Sequence, residues 1–192
     1  MKKSYQTSAF GLMIALCLAF WSSETLYAQT DDRSSWKKNV VYEGESSIRT
    51  VSPGDFTGDG IPDLISSCDG KTRLFVGPDF KEYVIGDNPQ HEFIYSVAYD
   101  VDGDGDLDFV GARHQGPGLV IWFEQPENPI GGLWTARPVS TKLSGIHSLA
   151  LADIDRDGKV DLIAPSALNR DNTPYPECLV WFPTPKNPKV LD

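Results

Sequence analysis

The densest run of charge in this sequence is Asp100–Asp108, in which an aspartate stands at every second position. Carboxylates packed this closely repel one another, and folding gains nothing from them unless a cation lies among them. Magnesium and calcium prefer oxygen ligands, and calcium accepts about six to eight of them in flexible geometry. Aspartates at positions 1, 3 and 5 with a glycine at position 6, here Gly105, open a calcium-binding loop. The run therefore predicts a calcium site.

The end of this loop separates it from an EF-hand. An EF-hand loop continues to a glutamate at position 12 and then into a helix. Position 12 here is Gly111, and the residues after Asp108 are Phe109 and Val110, which favour a strand. Asp108, at position 9, is expected to close the loop instead.

The loop occurs three times, beginning at Asp55, Asp100 and Asp153, which are 45 and 53 residues apart. All copies have an aspartate at positions 1, 5 and 9 and a glycine at position 6, and two apolar residues follow each. We expect about three calcium ions, with the backbone carbonyl of position 7 completing each set of side-chain ligands. The expected ligands are Asp55, Thr57, Asp59, Ile61 and Asp63 in the first loop, Asp100, Asp102, Asp104, Asp106 and Asp108 in the second, and Asp153, Asp155, Asp157, Lys159 and Asp161 in the third. Acidic surface turns without metal are the alternative.

Two positions within these loops are expected to differ from the rest. Thr57 stands where the other loops have an aspartate, so the first loop has one carboxylate fewer and should bind calcium most weakly. Asp106 stands at position 7, so its carbonyl should face the ion and its side chain should point to solvent.

The overall charge follows largely from the loops. The net charge is −10, and twelve of the 27 acidic side chains are aspartates of these three loops. Binding to nucleic acid requires clustered lysine and arginine side chains. The acidity therefore argues against nucleic acid as a partner.

The first 28 residues have the pattern of a secretory signal peptide. Lys2 and Lys3 precede a short apolar run from about Ala9 to Phe20, and the small residue Ala28 marks the expected cleavage site. The run is short for a membrane span, so no span is expected after cleavage, and a structural helix is the alternative. We expect a secreted protein, either extracellular or periplasmic.

Secretion permits a disulfide between Cys68 and Cys178, but their places in different repeats favour separate buried thiols.

Strand-like segments recur around the loops. Each unit has four such segments, rich in β-branched and aromatic residues and separated by glycine, proline, asparagine and aspartate, and no helical period is evident after the leader. In the second unit they are Ile94–Tyr99, Asp108–Arg113, Leu119–Glu124 and Leu133–Ser140, with the calcium loop between the first two. Within residues 29–192 we expect units at 46–86, 92–140 and 144–192, with an extra strand at 36–42.

Four short strands in a unit of this length are typical of a β-propeller blade. The sequence therefore predicts an all-β fold, a partial β-propeller of about three four-stranded blades with calcium loops. Because propellers close with about four to eight blades, these units should belong to a larger ring of about seven blades. An incomplete ring leaves apolar blade faces and strand edges open, so further blades or self-association are expected. Residues 29–192 alone are not expected to behave as an ordered monomer.

The chain resembles the FG-GAP/VCBS repeat family in three features. These are the aspartate-rich loops, the Asp-Leu-Ile or Asp-Phe-Val that ends each loop, and the flanking strands. That family includes the calcium-bearing propeller of integrin α chains and many secreted bacterial proteins. The resemblance covers nearly all of residues 36–192, although only Gly111-Ala112 and Ala164-Pro165 echo the Gly-Ala-Pro segment that helps to name the family. It implies one calcium ion per blade on one face of the disc. It does not imply a single activity, because function depends on the site rather than on the fold.

The face opposite the calcium loops is expected to carry recognition loops. Polar and aromatic residues suit such loops on a rigid scaffold, and those expected there include His91, Arg113, His114 and Tyr175. Ordinary solvated loops are the alternative. His147 is expected to be a core histidine with satisfied hydrogen bonds.

Two classes of function remain after this reading. The first is a non-catalytic, calcium-stabilised binding or adhesion scaffold for a glycan or a protein. The second is the propeller part of a carbohydrate-active enzyme, such as a polysaccharide lyase that uses His91, Arg113, His114 or Tyr175. Motifs of serine hydrolases, zinc proteases, phosphate loops and haem attachment are absent from the sequence, which favours the first class.

Overall fold

The computed structural model describes residues 36–44, 47–114, 118–143, 145–167, 174–175 and 177–190. The chain forms two compact units, Met1–Asn39 and Val40–Asp192, and every described strand lies in the second. The predicted signal peptide, residues 1–28, lies outside the described residues. Within the described part, no helix has the length and apolar character needed to span a membrane.

Three antiparallel sheets form the second unit, and in each sheet the strands are hydrogen-bonded in chain order. The described residues contain no α-helix. The first sheet consists of β1 (Thr50–Gly54), β2 (Asp63–Cys68), β3 (Lys71–Val76) and β4 (Lys81–Asp87); the second of β5 (Tyr95–Tyr99), β6 (Asp108–Arg113), β7 (Gly118–Glu124) and β8 (Thr135–Leu143); and the third of β9 (Ala150–Ala152), β10 (Asp161–Ser166) and β11 (Cys178–Phe182). The all-β, propeller-like prediction is confirmed, and the three sheets do not close into a ring.

The predicted strands of the second unit agree closely with the structure. The second strand is as predicted, and the first and third differ from their predicted bounds by one residue at one end. The fourth, β8, begins two residues later and ends three residues later than predicted. The agreement follows from the β-branched and aromatic content of the strands and from the turn residues that separate them, both of which the sequence displays directly.

The second sheet is buried on both faces, and its central strand β7 illustrates why. Ile121 and Phe123 belong to the apolar cluster shared with the first sheet. Val120 and Trp122 alternate with them and belong to the cluster shared with the third sheet. A strand covered on both sides reads as a continuous apolar run, because neither face meets water. Full burial of each such side chain contributes about 1.5–3 kcal/mol.

Three phenylalanines fill the cluster between the first and second sheets. The rings of Phe93, Phe109 and Phe123 contact one another edge to face, with centroids 5.8–6.1 Å apart. Gly111 lies directly beneath the Phe93 ring, and a methyl group at this position would collide with it. The glycine that the sequence analysis compared with the Gly-Ala-Pro segment therefore has a packing role.

The third sheet is covered on one face. Val180 and Phe182 of β11 pack against the cluster shared with the second sheet, whereas Leu179 and Trp181, on the other face, are 77% and 39% exposed. Among the described residues, no strand pairs with the outer edge of β11.

The extra strand predicted at 36–42 is not formed, because residues 36–44 have no regular secondary structure. The segment contacts the first sheet through its side chains and does not pair with the open edge of β11. The ring of Tyr42 packs on Phe75 of β3, with centroids 5.3 Å apart, and the Arg73 guanidinium lies 5.2 Å from its centre.

Candidate metal centre

The three acidic loops occupy equivalent places in the fold. Residues 55–62 join β1 to β2, residues 100–107 join β5 to β6, and residues 153–160 join β9 to β10. Each loop therefore connects the first and second strands of its sheet, as the sequence predicts. This common position gives all three loops the same backbone framework.

The aspartate at position 1 organises each loop through its carboxylate. The two oxygens of Asp100 accept hydrogen bonds from the backbone N–H groups of Gly103 and Gly105, at 2.7 and 3.0 Å. Asp55 and Asp153 accept equivalent bonds from N–H groups four and five residues later. The amides draw the loop around one carboxylate and stabilise its negative charge.

Glycine at position 6 permits this turn. Gly105 has a φ of 99° and Gly158 a φ of 89°, in the left-handed region that glycine enters without steric cost. Position 4 is also left-handed, with Gly103 at 80° and Arg156 at 65°. The third loop thus holds a non-glycine residue in a conformation that costs about 1–2 kcal/mol.

The aspartate at position 9 is buried in all three loops and fixes the loop to the sheet. Asp63 is fully buried, and its Oδ2 accepts hydrogen bonds from the N–H groups of Phe56 and Thr57, at 2.9 and 3.0 Å, while its Oδ1 accepts one from Gly77 at 2.9 Å. Asp108 and Asp161 make the same two-sided connection, to the start of the loop and to the segment after the third strand. The sequence predicted these residues as ligands and missed this structural role.

The burial of Asp108 makes its negative charge costly. Burial, together with the neighbouring Asp102 carboxylate, raises the pKa of this carboxyl to about 7, although hydrogen bonds from the N–H groups of Gln125 and Val101 act in the opposite direction. A carboxylate that is both buried and close to another one gains from a nearby cation. The electrostatics of the second loop therefore suit a metal ion.

Carboxylates of positions 1, 3 and 9 converge in two of the loops. Oxygens of Asp100, Asp102 and Asp108 all lie within 4.8 Å of one another, as do those of the equivalent residues of the third loop, Asp153, Asp155 and Asp161. In the first loop the third position is Thr57, whose Oγ1 is buried without a hydrogen-bond partner among the described residues. A cation would satisfy this oxygen. The donor sets, all oxygen and mostly anionic, fit calcium.

Positions 5 and 7 lie at the outside of each loop. Asp59, Asp104 and Asp157 are exposed, and each accepts a hydrogen bond from the N–H group two residues later. These position-5 carboxylates are not part of the converging groups. Asp106 is exposed as predicted, while Lys159 Nζ donates a hydrogen bond to the carbonyl of Pro185.

The second loop has a cationic neighbour that the sequence analysis did not predict. Lys189 Nζ lies 2.7 Å from Asp102 Oδ2 and 2.8 Å from Glu124 Oε1. These contacts hold the pKa of Lys189 above its usual range. Burial of Glu124 alone would raise its pKa, but the hydrogen bonds from Lys189 and Arg137 outweigh burial and lower it. No local pattern could have revealed this pairing, because the partners are distant in sequence.

His114, one of the predicted recognition residues, forms a pair with His147. The rings of His114 and His147 meet edge to face, with centroids 4.3 Å apart, and Tyr95 lies 6.5 Å from His147. His147 is only partly buried, and its Nε2 has no hydrogen-bond partner among the described residues. The prediction of a satisfied core histidine was therefore wrong, because no described residue reaches Nε2 with a hydrogen bond.

His91 and Arg113 make further contacts beside this pair. The His91 ring stacks on Phe93, with centroids 5.3 Å apart, and burial together with the charge of Arg113 lowers the pKa of His91. Arg113 also donates a hydrogen bond to the Gln90 carbonyl at 3.1 Å. Most of the predicted insertion that contains Tyr175 lies outside the described residues.

Both cysteines of the described region are unpaired. Cys68 is buried, and its sulfur accepts a hydrogen bond from Arg73, while Cys178 is partly buried. The preference for separate thiols is confirmed.

The sheets and their acidic loops define a propeller-like repeat protein. Residues 100–164, from the start of the second loop to β10, match the family model of the FG-GAP-like repeat. This segment, about a third of the chain, is therefore similar to the FG-GAP-like repeat family, consistent with the sequence resemblance. A search of the curated proteins found no match.

Proposed function

We propose that this chain is a secreted calcium-binding repeat protein that acts as a non-catalytic binding or adhesion scaffold for a glycan or a protein. The observation that carries the proposal is the convergence of three carboxylates within 4.8 Å in the second and third loops. All three accept hydrogen bonds from backbone N–H groups, so the carboxylates are held in place before any ion arrives. The FG-GAP-like repeat and the charged, apolar start of the sequence also support this reading.

Calcium would be held by the aspartates of positions 1, 3 and 9, with Thr57 replacing one of them in the first loop. When bound, the ion neutralises the mutual repulsion of these carboxylates. The residues of the chain do the rest, because the position-1 aspartate gathers the loop amides and the position-9 aspartate ties the loop to the sheet. The result is a rigid scaffold whose surface opposite the calcium loops remains available for a partner.

The opposite side is the better candidate for recognition. Strand β6 begins at Asp108, in the calcium loop, and ends at Arg113, so six residues separate the two faces by roughly 17–20 Å. Arg113, His114 and His147 lie at this far end and offer hydrogen-bond donors, acceptors and aromatic surface. Such groups suit polar ligands such as glycans or acidic peptides.

Binding to immobilised glycans tests the proposal directly. We expect the calcium-loaded protein to bind a subset of glycans on an array, and Arg113→Ala combined with His114→Ala to reduce that binding about tenfold or more, because two polar contacts are lost. Lys81→Ala, which alters an exposed side chain of β4 at the acidic-loop end of the first sheet, is the matched control and should bind like the parent protein. Equal binding by the double variant and the control would contradict a glycan-binding role for this face.

A polysaccharide lyase is the second candidate, and the His114–His147 pair favours it. A lyase removes the proton next to a uronate carboxyl group, and a carbon–carbon double bond forms as the glycosidic oxygen leaves with a proton. One imidazole of the pair would act as base and the other as acid, while Arg113 would hold the carboxylate. Incubation with uronate polysaccharides should then yield unsaturated products that absorb ultraviolet light, whereas binding without product formation favours the scaffold.

We also propose that further blades or other copies of this chain cover the open edge of the third sheet. Leu179 and Trp181 of β11 are large, apolar and exposed, and an unpaired strand edge invites pairing. Sedimentation in saturating calcium should therefore reveal association or aggregation, and Leu179→Lys should reduce it. A sharp monomeric boundary with cooperative unfolding would contradict the proposed larger ring.

A further inference from the structure

The segment of residues 183–190, which follows β11, joins the third acidic loop to the second. Near its start, the Thr184 N–H donates a hydrogen bond to Asp161 Oδ1 at 3.0 Å, and the Pro185 carbonyl accepts one from Lys159 Nζ at 2.9 Å. Near its end, Lys189 reaches the second loop. We call residues 183–190 the connecting segment.

Lys189 is held in place from two sides. Its Nζ lies 2.7 Å from Asp102 Oδ2, 2.8 Å from Glu124 Oε1 and 3.9 Å from Asp104 Oδ2. Its carbonyl accepts a hydrogen bond from Arg137 at 3.1 Å, and Arg137 is itself paired with Glu124. The ammonium is therefore positioned by a network rather than by a single surface contact.

The oxygen that Lys189 contacts is the one that a metal ion would use. Asp102 Oδ1 already accepts a hydrogen bond from the N–H group of Asp104 at 3.1 Å, which leaves Oδ2 for a cation. The Asp102 side chain is 3% exposed, so solvent provides little screening at this position. An ammonium and a divalent ion on one carboxylate oxygen repel each other strongly in such surroundings.

The other two loops lack this arrangement. Within the described part of the chain, Asp155 has no lysine or arginine partner, and Lys159 of the same loop is directed to the Pro185 carbonyl. Thr57 in the first loop is neutral. The second loop, which has the largest number of aspartates, is thus the loop whose third-position carboxylate is already paired with a cation.

We propose that Lys189 is a built-in counter-ion that lowers the calcium affinity of the second loop, and that calcium and Lys189 compete for Asp102. This inference rests on the proposed calcium binding. Calcium binding at the second loop would release Lys189 and loosen the connecting segment, which is also attached to the third loop at Asp161. Occupancy of the second loop is thereby coupled to the position of the connecting segment.

Nuclear magnetic resonance titration of the full chain with calcium can separate the three loops. The backbone amides of Gly60, Gly105 and Gly158 occupy the same position in the three loops, and each donates to the position-1 aspartate. We expect Lys189→Met to increase the calcium affinity reported by Gly105 about tenfold and to leave the affinity reported by Gly60 unchanged. Lys189→Arg, which keeps the charge, should behave like the parent protein.

Lys186→Met is the matched control, because Lys186 lies in the same segment, is exposed and makes no ion pair with a described residue. It should leave the Gly105 titration unchanged. In the parent protein, calcium should also accelerate hydrogen exchange of the Val190 amide, which donates to the Asn187 carbonyl at 3.3 Å.

The outcomes distinguish this inference from the function on which it rests. A calcium response of all three glycines with an unchanged or weaker Gly105 affinity in Lys189→Met would overturn the role of Lys189 alone, since a purely structural lysine would give that result. The absence of a response at all three glycines, in both proteins, would overturn calcium binding and this inference together.

Discussion

Removal of calcium should lower the free energy of unfolding of this protein by several kcal/mol. An ion that binds only the folded chain stabilises it by about 2.7 kcal/mol per site at a hundredfold excess over the dissociation constant, so three filled sites contribute about 8 kcal/mol. The physical reason is the convergence of carboxylates in the loops, which repel one another without a cation. Thermal and chemical unfolding with calcium and with a chelator would measure the difference.

The second loop supplies a matched pair of variants for this experiment. Asp102→Ala removes one of the three converging carboxylates and should weaken calcium binding, whereas Asp106→Ala removes a solvent-exposed side chain, keeps the backbone carbonyl and should have a much smaller effect. Calorimetric titration compares the two. Equal losses, or a melting temperature that does not respond to the chelator, would reduce the loops to acidic turns.

Asp63→Ala should produce the largest loss of stability among single substitutions in the loops. Asp63 is fully buried and accepts hydrogen bonds from three backbone N–H groups, of Phe56, Thr57 and Gly77. Removal of the carboxylate leaves these donors buried and unsatisfied, at a cost of about 1–3 kcal/mol for each that water does not reach. We expect a total loss of about 3–5 kcal/mol, measured by urea unfolding.

Asp59→Ala, in the same loop, is the control for this substitution. Asp59 is exposed and accepts one hydrogen bond from the Ile61 N–H. Asp59→Ala should lower the free energy of unfolding by less than about 1 kcal/mol in the presence of a chelator. The loss of unfolding free energy caused by Asp63→Ala should persist in the presence of a chelator, because the hydrogen bonds between Asp63 and the N–H groups do not require the ion. A loss that disappears in chelator would show that Asp63 acts only as a ligand.

This comparison separates two roles that one residue type plays in the loops. The position-1 and position-3 aspartates are organised around the expected ion, whereas the position-9 aspartate also holds two parts of the sheet together. Burial raises the pKa of Asp108 to about 7, so the fold makes its negative charge costly. The expected ion would stabilise that charge, and the buried carboxylate would in turn bind the ion.

Much of the candidate site could be predicted from the sequence. The spacing of aspartates and glycines located all three loops, and β-branched and aromatic segments between turn residues placed the strands of the second sheet within a few residues. The prediction that Asp106 is exposed also agrees with the structure. Other features did not follow, such as the missing strand at 36–42, because this segment packs Tyr42 on the first sheet and does not pair with the open edge of β11.

The sequence by itself determined the repeat, the loops and the period of the strands, because these depend on side chains at short, regular spacing. Only the tertiary structure decided that Asp63 clamps the end of β3, that His114 meets His147, and that Lys189 is paired with Asp102. Each of these contacts joins residues that belong to different segments of the chain. Whether these residues meet depends on how the sheets pack and on which charges remain unpaired. No local pattern of residues encodes the packing or the pairing.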